Sequence, residues 1–355
     1  MNPFLAVTIL MVLAGAMFML PLVPALVELH RKSDAQPLSV IQEHAGEIRY
    51  FAKGFRARIA GLQESLQQCV ASGAAASGTF SVEDECLMLG RADEPLLLPF
   101  LGKGTACPFV IAAGADLTLP RATTLAKELY VAGRFTGKEE IRYRAIYGEK
   151  EVHLGPASSV ARWAHAAGEF SVERGCTLYG RISSDHVIRL QEDCVFLRLN
   201  APRIELGTNR AEHQVHPEDS AFTDSYSEVT RRVYDGDLEI PGGELIVGNI
   251  VARGKLHIGA GALIRGSVKS SRDMVLESGV CVQGSLISAR RMRIGAGCSI
   301  HGPVLAERQM VVATGTYLGA QQRPTSVSAP QVLVEEGVVV FGTLWAREHG
   351  EVVAL

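Results

Sequence analysis

Apolar residues recur in pairs, two positions apart, throughout residues 238–306, and the whole pattern repeats every 18 residues without a gap. This spacing places side chains on one face of a strand, so each unit predicts three short strands separated by corners. Glycine keeps the same register at two positions of the unit, where the chain turns sharply and φ can be positive. The units begin at Leu238, Leu256, Met274, Met292 and Met310, and the glycines are Gly243, Gly261, Gly279, Gly297 and Gly315 with Gly248, Gly266, Gly284 and Gly302. We therefore predict an all-β fold, a three-sided (triangular) β-solenoid with 18-residue coils.

The solenoid pattern extends beyond that stretch on both sides. Residues 78–91 (GTFSVEDECLMLGR) and 168–181 (GEFSVERGCTLYGR) are near copies 90 residues apart, which is five periods of 18. Residues 79–206 are therefore predicted to form a first, degenerate solenoid array, with a different small β-rich domain as the alternative. Residues 207–237 break the pattern as a polar insertion or linker. The second array occupies residues 238–355, and its last coil, residues 332–346, follows an insertion at residues 320–331.

The N-terminal segment is a long apolar run without charge, residues 3–27. As a helix it would span roughly 37 Å at about 1.5 Å per residue, enough to cross a hydrocarbon core of about 30 Å. We predict a single transmembrane anchor within residues 1–32, with a cleaved signal peptide as the alternative. His30, Arg31 and Lys32 follow the run directly, so the positive-inside bias places the C-terminal body in the cytoplasm of a bacterial inner membrane.

A helical linker is predicted for residues 33–78, because apolar residues recur there at alternating spacings of four and three. The candidate coiled-coil seam consists of Ile41, Ile48, Phe55, Ile59, Leu62 and Leu66. The seam suits either a coiled coil or packing against another helix. Gly46, Gly54 and Gly61 interrupt it, each weakening a helix by roughly 1 kcal/mol relative to Ala.

Composition narrows the class of protein. The 355 residues carry a formal net charge of −3, and no Arg/Lys run is interleaved with aromatic residues, so nucleic acid is not a predicted partner. The cysteine count of seven is odd, and most of these residues lie in strand-like segments, which indicates reduced core side chains rather than a disulfide framework. The acidic and histidine residues of the 207–237 segment match no standard ligand spacing. No metal and no cofactor is therefore predicted.

The second array resembles a known family. GDLEI at residues 236–240, the I-G-A-G corners at residues 258–261 and 294–297, and the recurring Gly-Asn-Ile or Gly-Ser-Val step are similar to those of the bactofilins, bacterial polymer-forming cytoskeletal proteins. The resemblance covers residues 236–346, about a third of the chain. It implies a right-handed triangular solenoid that assembles end to end into nonpolar filaments without nucleotide, often at the inner membrane. Residues 80–206 and 207–237 depart from the family's usual compact form.

These observations predict a structural protein and not an enzyme: a membrane-anchored scaffold that self-assembles or docks cell-envelope and morphogenesis proteins. Each coil adds about 4.8 Å, and a solenoid without a polar cap leaves unpaired strand edges at its ends. The predicted partners are further copies of the chain, the lipid bilayer and cell-envelope proteins. The candidate assembly interface is C-terminal and consists of Phe341, Trp345, Val352 and Val353. As an alternative, Phe341 and Trp345 pack under the insertion at residues 320–331.

Two enzymatic alternatives start from the same repeats. The runs IGAGALIRGSV and IGAGCSIHGPV also resemble the hexapeptide repeats of left-handed β-helix acyltransferases, which use a histidine between subunits. His257 and His301 occupy outward phases of the repeat, but neither is in a loop that would form a cleft. A polysaccharide lyase or hydrolase would need clustered carboxylates on one face, and the outward acidic residues are sparse.

Overall fold

The computed structural model describes residues 3–23, 48–81, 84–90, 106–207 and 230–354. It is nearly all-β, a β-solenoid with few helices. The chain divides into two compact units, Met1–Glu47 and Ile48–Leu355. The helices are α1 (Pro3–Met19), followed by a short 3-10 helix (Leu20–Leu22), then α2 (Tyr50–Ala60) and α3 (Gln63–Ser72).

Thirty strands follow in chain order among the described residues. Those of the first array are β1 (Ala75–Thr79), β2 (Glu85–Leu89), β3 (Val110–Ala113), β4 (Leu117–Leu119), β5 (Glu128–Val131), β6 (Phe135–Gly137), β7 (Arg142–Gly148), β8 (Val152–Leu154), β9 (Ser159–Ala166), β10 (Phe170–Val172), β11 (Thr177–Ser184), β12 (Val187–Leu190) and β13 (Val195–Leu206). Those of the second array are β14 (Arg231–Tyr234), β15 (Leu238–Ile240), β16 (Leu245–Val247), β17 (Asn249–Ala252), β18 (Leu256–Ile258), β19 (Leu263–Arg265), β20 (Val268–Ser270), β21 (Met274–Leu276), β22 (Cys281–Val282), β23 (Leu286–Ser288), β24 (Arg291–Ile294), β25 (Ser299–Ile300), β26 (Val304–Ala306), β27 (Gln309–Val312), β28 (Tyr317–Leu318), β29 (Thr325–Glu335) and β30 (Val338–Val353).

The structure does not support the predicted membrane-spanning helix at residues 3–27. Helix α1 has 17 residues and ends at Met19, where a 3-10 turn containing Pro21 begins. That length corresponds to about 26 Å of rise, short of the roughly 30 Å of a hydrocarbon core. Residues 24–27 lie outside the described residues. Within the described ranges, no helix is both long and apolar enough to cross a membrane.

Helices α2 and α3 lie on the first array and are separated by a turn at Gly61. Of the predicted seam, Ile48, Phe55, Ile59 and Leu66 are buried, and Leu62 is partly buried against the same cluster. Ile41 lies outside the described residues. These side chains contact outward-facing residues of the solenoid of the same chain, and Phe55 packs on Trp163 with ring centroids 5.5 Å apart. The seam is therefore occupied by the chain itself.

In the first array, each coil consists of one long and one short strand. The long strands pair in parallel from β3 to β13, and the pairing of β7 with β9 shifts register between Tyr143 and Ala145, so one strand follows two sides of the coil. The short strands form the third side. Phe170 of β10 pairs with Val152 and with Ile188, each 18 residues away. This pairing confirms that the degenerate repeat in residues 79–206 is a β-solenoid.

In the second array, three separate strands make each coil, and every strand pairs in parallel with its equivalent one coil away. Leu256 of β18 pairs with Leu238 and with Met274, each 18 residues distant. The same register joins β16 to β19 and β17 to β20. The inward side chains of both arrays belong to one continuous apolar core. The predicted 18-residue coil is confirmed.

The two glycines of each unit have different physical roles. Those at the first corner have φ between 66° and 71°, the left-handed region that other residues adopt at a cost: Gly243, Gly261, Gly279, Gly297 and Gly315. At the second corner the backbones of successive coils approach closely. A Cβ added to Gly284 would lie 2.5 Å from the carbonyl carbon of Gly266. The second glycine is thus required by coil stacking.

Small polar residues close the third corner. Ser270 Oγ donates to the carbonyl of Gly254 at 2.8 Å and accepts from the backbone N–H of Arg272 at 3.1 Å. Ser288 repeats the arrangement one coil later, donating to the carbonyl of Arg272 at 2.8 Å. These bonds satisfy backbone groups that the turn leaves without ladder partners.

The cysteines behave as predicted for core residues. All seven are free, and six of them are buried. Burial raises the pKa of the Cys86 thiol to about 12, which leaves this side chain protonated near neutral pH.

Gly284→Ala and Gly297→Ala are expected to separate the two glycine roles. At Gly297 nothing lies within 4 Å of an added Cβ, so only the left-handed φ of 66° opposes the substitution. The expected loss in free energy of unfolding is about 1 kcal/mol there. At Gly284 the methyl group meets backbone, and the expected loss is about 3 kcal/mol. Urea unfolding measures both, and equal losses would contradict the stacking role.

Candidate assembly interface

The two arrays meet where strand β13 pairs with strand β30. This pairing is antiparallel, unlike the parallel ladders between successive coils. Leu199 pairs with Leu344 and Ile204 with Val340, and all four side chains are fully buried. Because β13 is the last coil of the first array and β30 the last coil of the second, the arrays join through their C-terminal ends. We call this contact the internal junction.

Side chains at the internal junction match closely. Asn200 Nδ2 donates to Thr343 Oγ1 at 2.9 Å. A Cβ added to Gly350 would lie 2.5 Å from the ring of Phe196, so this contact requires glycine. On the outer face, the Arg198 guanidinium lies 4.8 Å from the ring centroid of Trp345, a cation–π contact. Burial, with a smaller effect from the nearby Arg181 charge, lowers the pKa of Arg198.

All four residues of the predicted assembly interface lie on β30. Phe341 is 4% exposed and Val352 is fully buried, while Trp345 keeps 41% of its surface exposed. Val353 pairs with Glu335 of β29. The structure therefore places these residues in and beside a contact that the chain makes with itself. Their role toward a second copy stays a prediction.

The opposite end of the second array has strand pairing on one side only. Among the residues that the structure describes, β14, β15 and β16 pair only with β17, β18 and β19, respectively. We call these three strands the one-sided coil. The carbonyl of Glu244 accepts from Leu263, and the N–H of Gly248 donates to Arg265. Backbone groups alternate in direction along a strand, so those of Leu245 and Val247 point away from the array.

The same alternation applies to the other two strands of the one-sided coil. The N–H of Leu238 donates to the carbonyl of Lys255, which directs the backbone groups of Glu239 outward. The carbonyls of Thr230 and Tyr234 accept from the next coil, which directs those of Arg231 and Val233 outward. Three apolar side chains also lie exposed on this coil: Val233 (48%), Leu245 (54%) and Val247 (60%). The coil thus combines a strand edge with apolar surface, the features of a pairing site.

The outer end of the first array is built differently. Strand β1 pairs antiparallel with β2, with Ala75 opposite Leu89. Helix α3 closes over the same end, where a Cβ on Gly90 would lie 1.7 Å from the carbonyl oxygen of Cys69. The apolar residues Leu87, Leu89 and Leu117 there are at most 3% exposed. This end is covered by the chain's own β1 and α3.

A serine, a histidine and an aspartate come together beneath the start of α2. Ser183 Oγ lies 2.9 Å from His165 Nδ1, and His165 Nε2 lies 3.9 Å from Asp185 Oδ2. Arg49, just before α2, forms an ion pair with Asp185 at 2.5 Å. His165 is 5% and Ser183 2% exposed, so the hydroxyl is not accessible to a substrate in this arrangement. The cluster links the helices to the solenoid.

Sequence reasoning did not single out this cluster. Its signal was available, because His165 and Ser183 are separated by one 18-residue period and therefore pair on adjacent strands. Burial is the main cause that lowers the pKa of His165, while the Asp185 charge acts in the opposite direction. A second polar contact holds α2, an ion pair of 2.9 Å between Arg56 and Glu149.

The histidines of the acyltransferase alternative lie apart from any such cluster. His257 Nε2 lies 2.9 Å from Glu277 Oε1 on the adjacent coil. His301 is 8% exposed, and its Nε2 lies 3.4 Å from Ser299 Oγ. Within the described part of the chain, no group of three or more His, Cys, Asp or Glu side chains is placed to hold a metal ion.

Comparison with known proteins adds no relative: the chain matches no family model, no curated protein and no solved structure. The functional inference therefore depends on the repeat and on the geometry of the coil ends.

Gly350→Val is expected to open the internal junction. The added side chain would overlap the ring of Phe196, which is fully buried. Amide hydrogens of β13 should then exchange with deuterium faster than in the unmodified protein, since their antiparallel partners are displaced. Glu348→Val is the control, because Glu348 is exposed on the same strand. Unchanged exchange in β13 of Gly350→Val would argue against the junction.

His165→Gln is expected to flatten the loss of stability on acidification. The pKa of His165 is lowered in the folded state, so the unfolded chain takes up the proton first as pH falls through about 6.5. The stability that this histidine contributes is present above that pH and is lost between about pH 7 and pH 5. Urea unfolding at both pH values measures the slope. His186→Gln, at an exposed position, is the control, and equal slopes for both variants would contradict the assignment.

Proposed function

We propose that this protein is a non-enzymatic scaffold of the bactofilin type, a triangular β-solenoid that assembles with further copies of itself and docks cell-envelope or morphogenesis proteins. The observation that carries the proposal is the one-sided coil. Strands β14, β15 and β16 present backbone donors and acceptors beside exposed apolar side chains. An open strand edge of this kind is completed most readily by another strand edge.

The internal junction supports the proposal by analogy. There, two coil ends of the same general construction pair edge to edge and continue the apolar core from one array into the other. The same chemistry is available to a coil end that meets its copy in another molecule. The resemblance of residues 236–346 to bactofilins points in the same direction, and three strand families per coil suit a triangular cross-section.

The setting of this scaffold is proposed from the resemblance alone. Bactofilin-like proteins often act at the bacterial inner membrane, so we propose the cytoplasmic face of that membrane and envelope proteins as partners. A membrane-spanning anchor is not part of the proposal.

Full-length protein purified without nucleotide or metal is expected to form assemblies of more than one copy. Sedimentation velocity over a range of concentrations measures the mass, and negative-stain electron microscopy gives the shape. Elongated particles longer than a single solenoid would support the scaffold. Compact trimers would instead favour the acyltransferase alternative, and monomers at every concentration would contradict self-assembly.

A further inference from the structure

We propose that self-assembly stops at two copies, joined through the one-sided coil of each around a two-fold axis. This inference rests on the proposed self-assembly and adds its partner surface, its geometry and its limit. The partner is a second copy of this chain, and the product is a closed dimer rather than a filament.

The limit follows from the other coil ends. A solenoid polymer grows only if each subunit offers two open ends. In this chain the C-terminal ends of both arrays are consumed in the internal junction, where β13 pairs with β30. The outer end of the first array is covered by β1 and α3. The one-sided coil is then the end available for pairing among the described residues.

The direction of pairing follows from symmetry. Two identical ends that face each other around a two-fold axis present their strands antiparallel, as β13 and β30 already do in the internal junction. With three strands per coil, such an axis pairs one strand with its own copy and exchanges the other two. Three arrangements satisfy this condition, and the side chains distinguish them.

Charge and apolar surface favour one arrangement. Strand β14 carries Arg231 and Arg232, so pairing with its own copy would place like charges opposite each other. Strand β15 carries Glu239, which is 81% exposed at its side chain. Exchange of β14 with β15 brings opposite charges together across the interface. Strand β16 then pairs with its own copy and buries the exposed Leu245 and Val247 of both molecules.

Main-chain hydrogen bonds are the specific feature of this interface. The N–H of Val247 points away from the array, so proline at this position removes an intermolecular donor and leaves the ladder to β19 intact. Val247→Pro is therefore the first test, with Val247→Thr as the control that keeps the N–H. Mass is measured by light scattering on full-length protein, and circular dichroism confirms that both variants keep the fold.

The expected result is twice the 38.1 kDa chain mass for unmodified protein and Val247→Thr, and at least a tenfold weaker dimer for Val247→Pro. Filaments of unmodified protein would overturn the closed dimer while leaving the proposed scaffold intact. A dimer unaffected by Val247→Pro would place the contact elsewhere and overturn the inference in the same way. Monomers alone would overturn both the inference and the proposed self-assembly.

A charge exchange tests the arrangement of the strands. Arg231→Glu and Glu239→Arg each place like charges opposite each other and are expected to weaken the dimer at least tenfold. The double variant restores opposite charges and is expected to dimerise like the unmodified protein. Failure of the double variant to recover, with both single variants folded, would overturn the exchange of β14 with β15.

Discussion

In-register pairing between successive coils is the interaction on which this structure depends. Many strands of the second array have only two to four residues, too few to persist without a neighbour. Each strand gains its hydrogen bonds from the equivalent strand one coil away, and each inward side chain lies over its equivalent. Stability is therefore a sum of contacts between neighbouring coils, and a coil at an end lacks half of them.

The treatment of the ends follows from this dependence. At the internal junction, β13 and β30 supply each other's missing neighbour, and Leu199 and Leu344 continue the core across the change of direction. At the outer end of the first array, the chain folds β1 back onto β2. These are two different solutions to the same deficit of strand partners. The one-sided coil presents the same deficit among the described residues, which is why its edge carries the functional proposals.

The helices change the chemistry of one outer face of the first array. Where α2 and α3 cover the solenoid, outward residues such as Val110, Ala112 and Tyr130 are buried with the helix seam. Further along the same face the outward residues become polar, with Arg181 and Arg198 in register on adjacent strands. His165 lies near the boundary between the two parts. Its burial, and the effect of that burial on its pKa, exist only because the helices cover that part of the face.

The sequence by itself determined the repeat: the 18-residue period, the three strands of the second array and the corner glycines all follow from local spacing. It also indicated the first array and the buried face of the helical segment. It did not identify what that face contacts, because an apolar seam is equally suited to a second helix and to a sheet. Nor did it identify Ser183, His165 and Asp185 as neighbours, although the period aligns two of them.

Only the tertiary structure decided how the arrays are joined. The antiparallel contact of β13 with β30 links residues about 140 positions apart, such as Asn200 and Thr343, and no repeat within either array encodes it. Phe341, Trp345 and Val352 looked like a free end in sequence, and the junction places them against the same chain. The physical reason is that coil pairing along an array follows a fixed sequence interval, whereas pairing between ends depends on which edges remain open after folding.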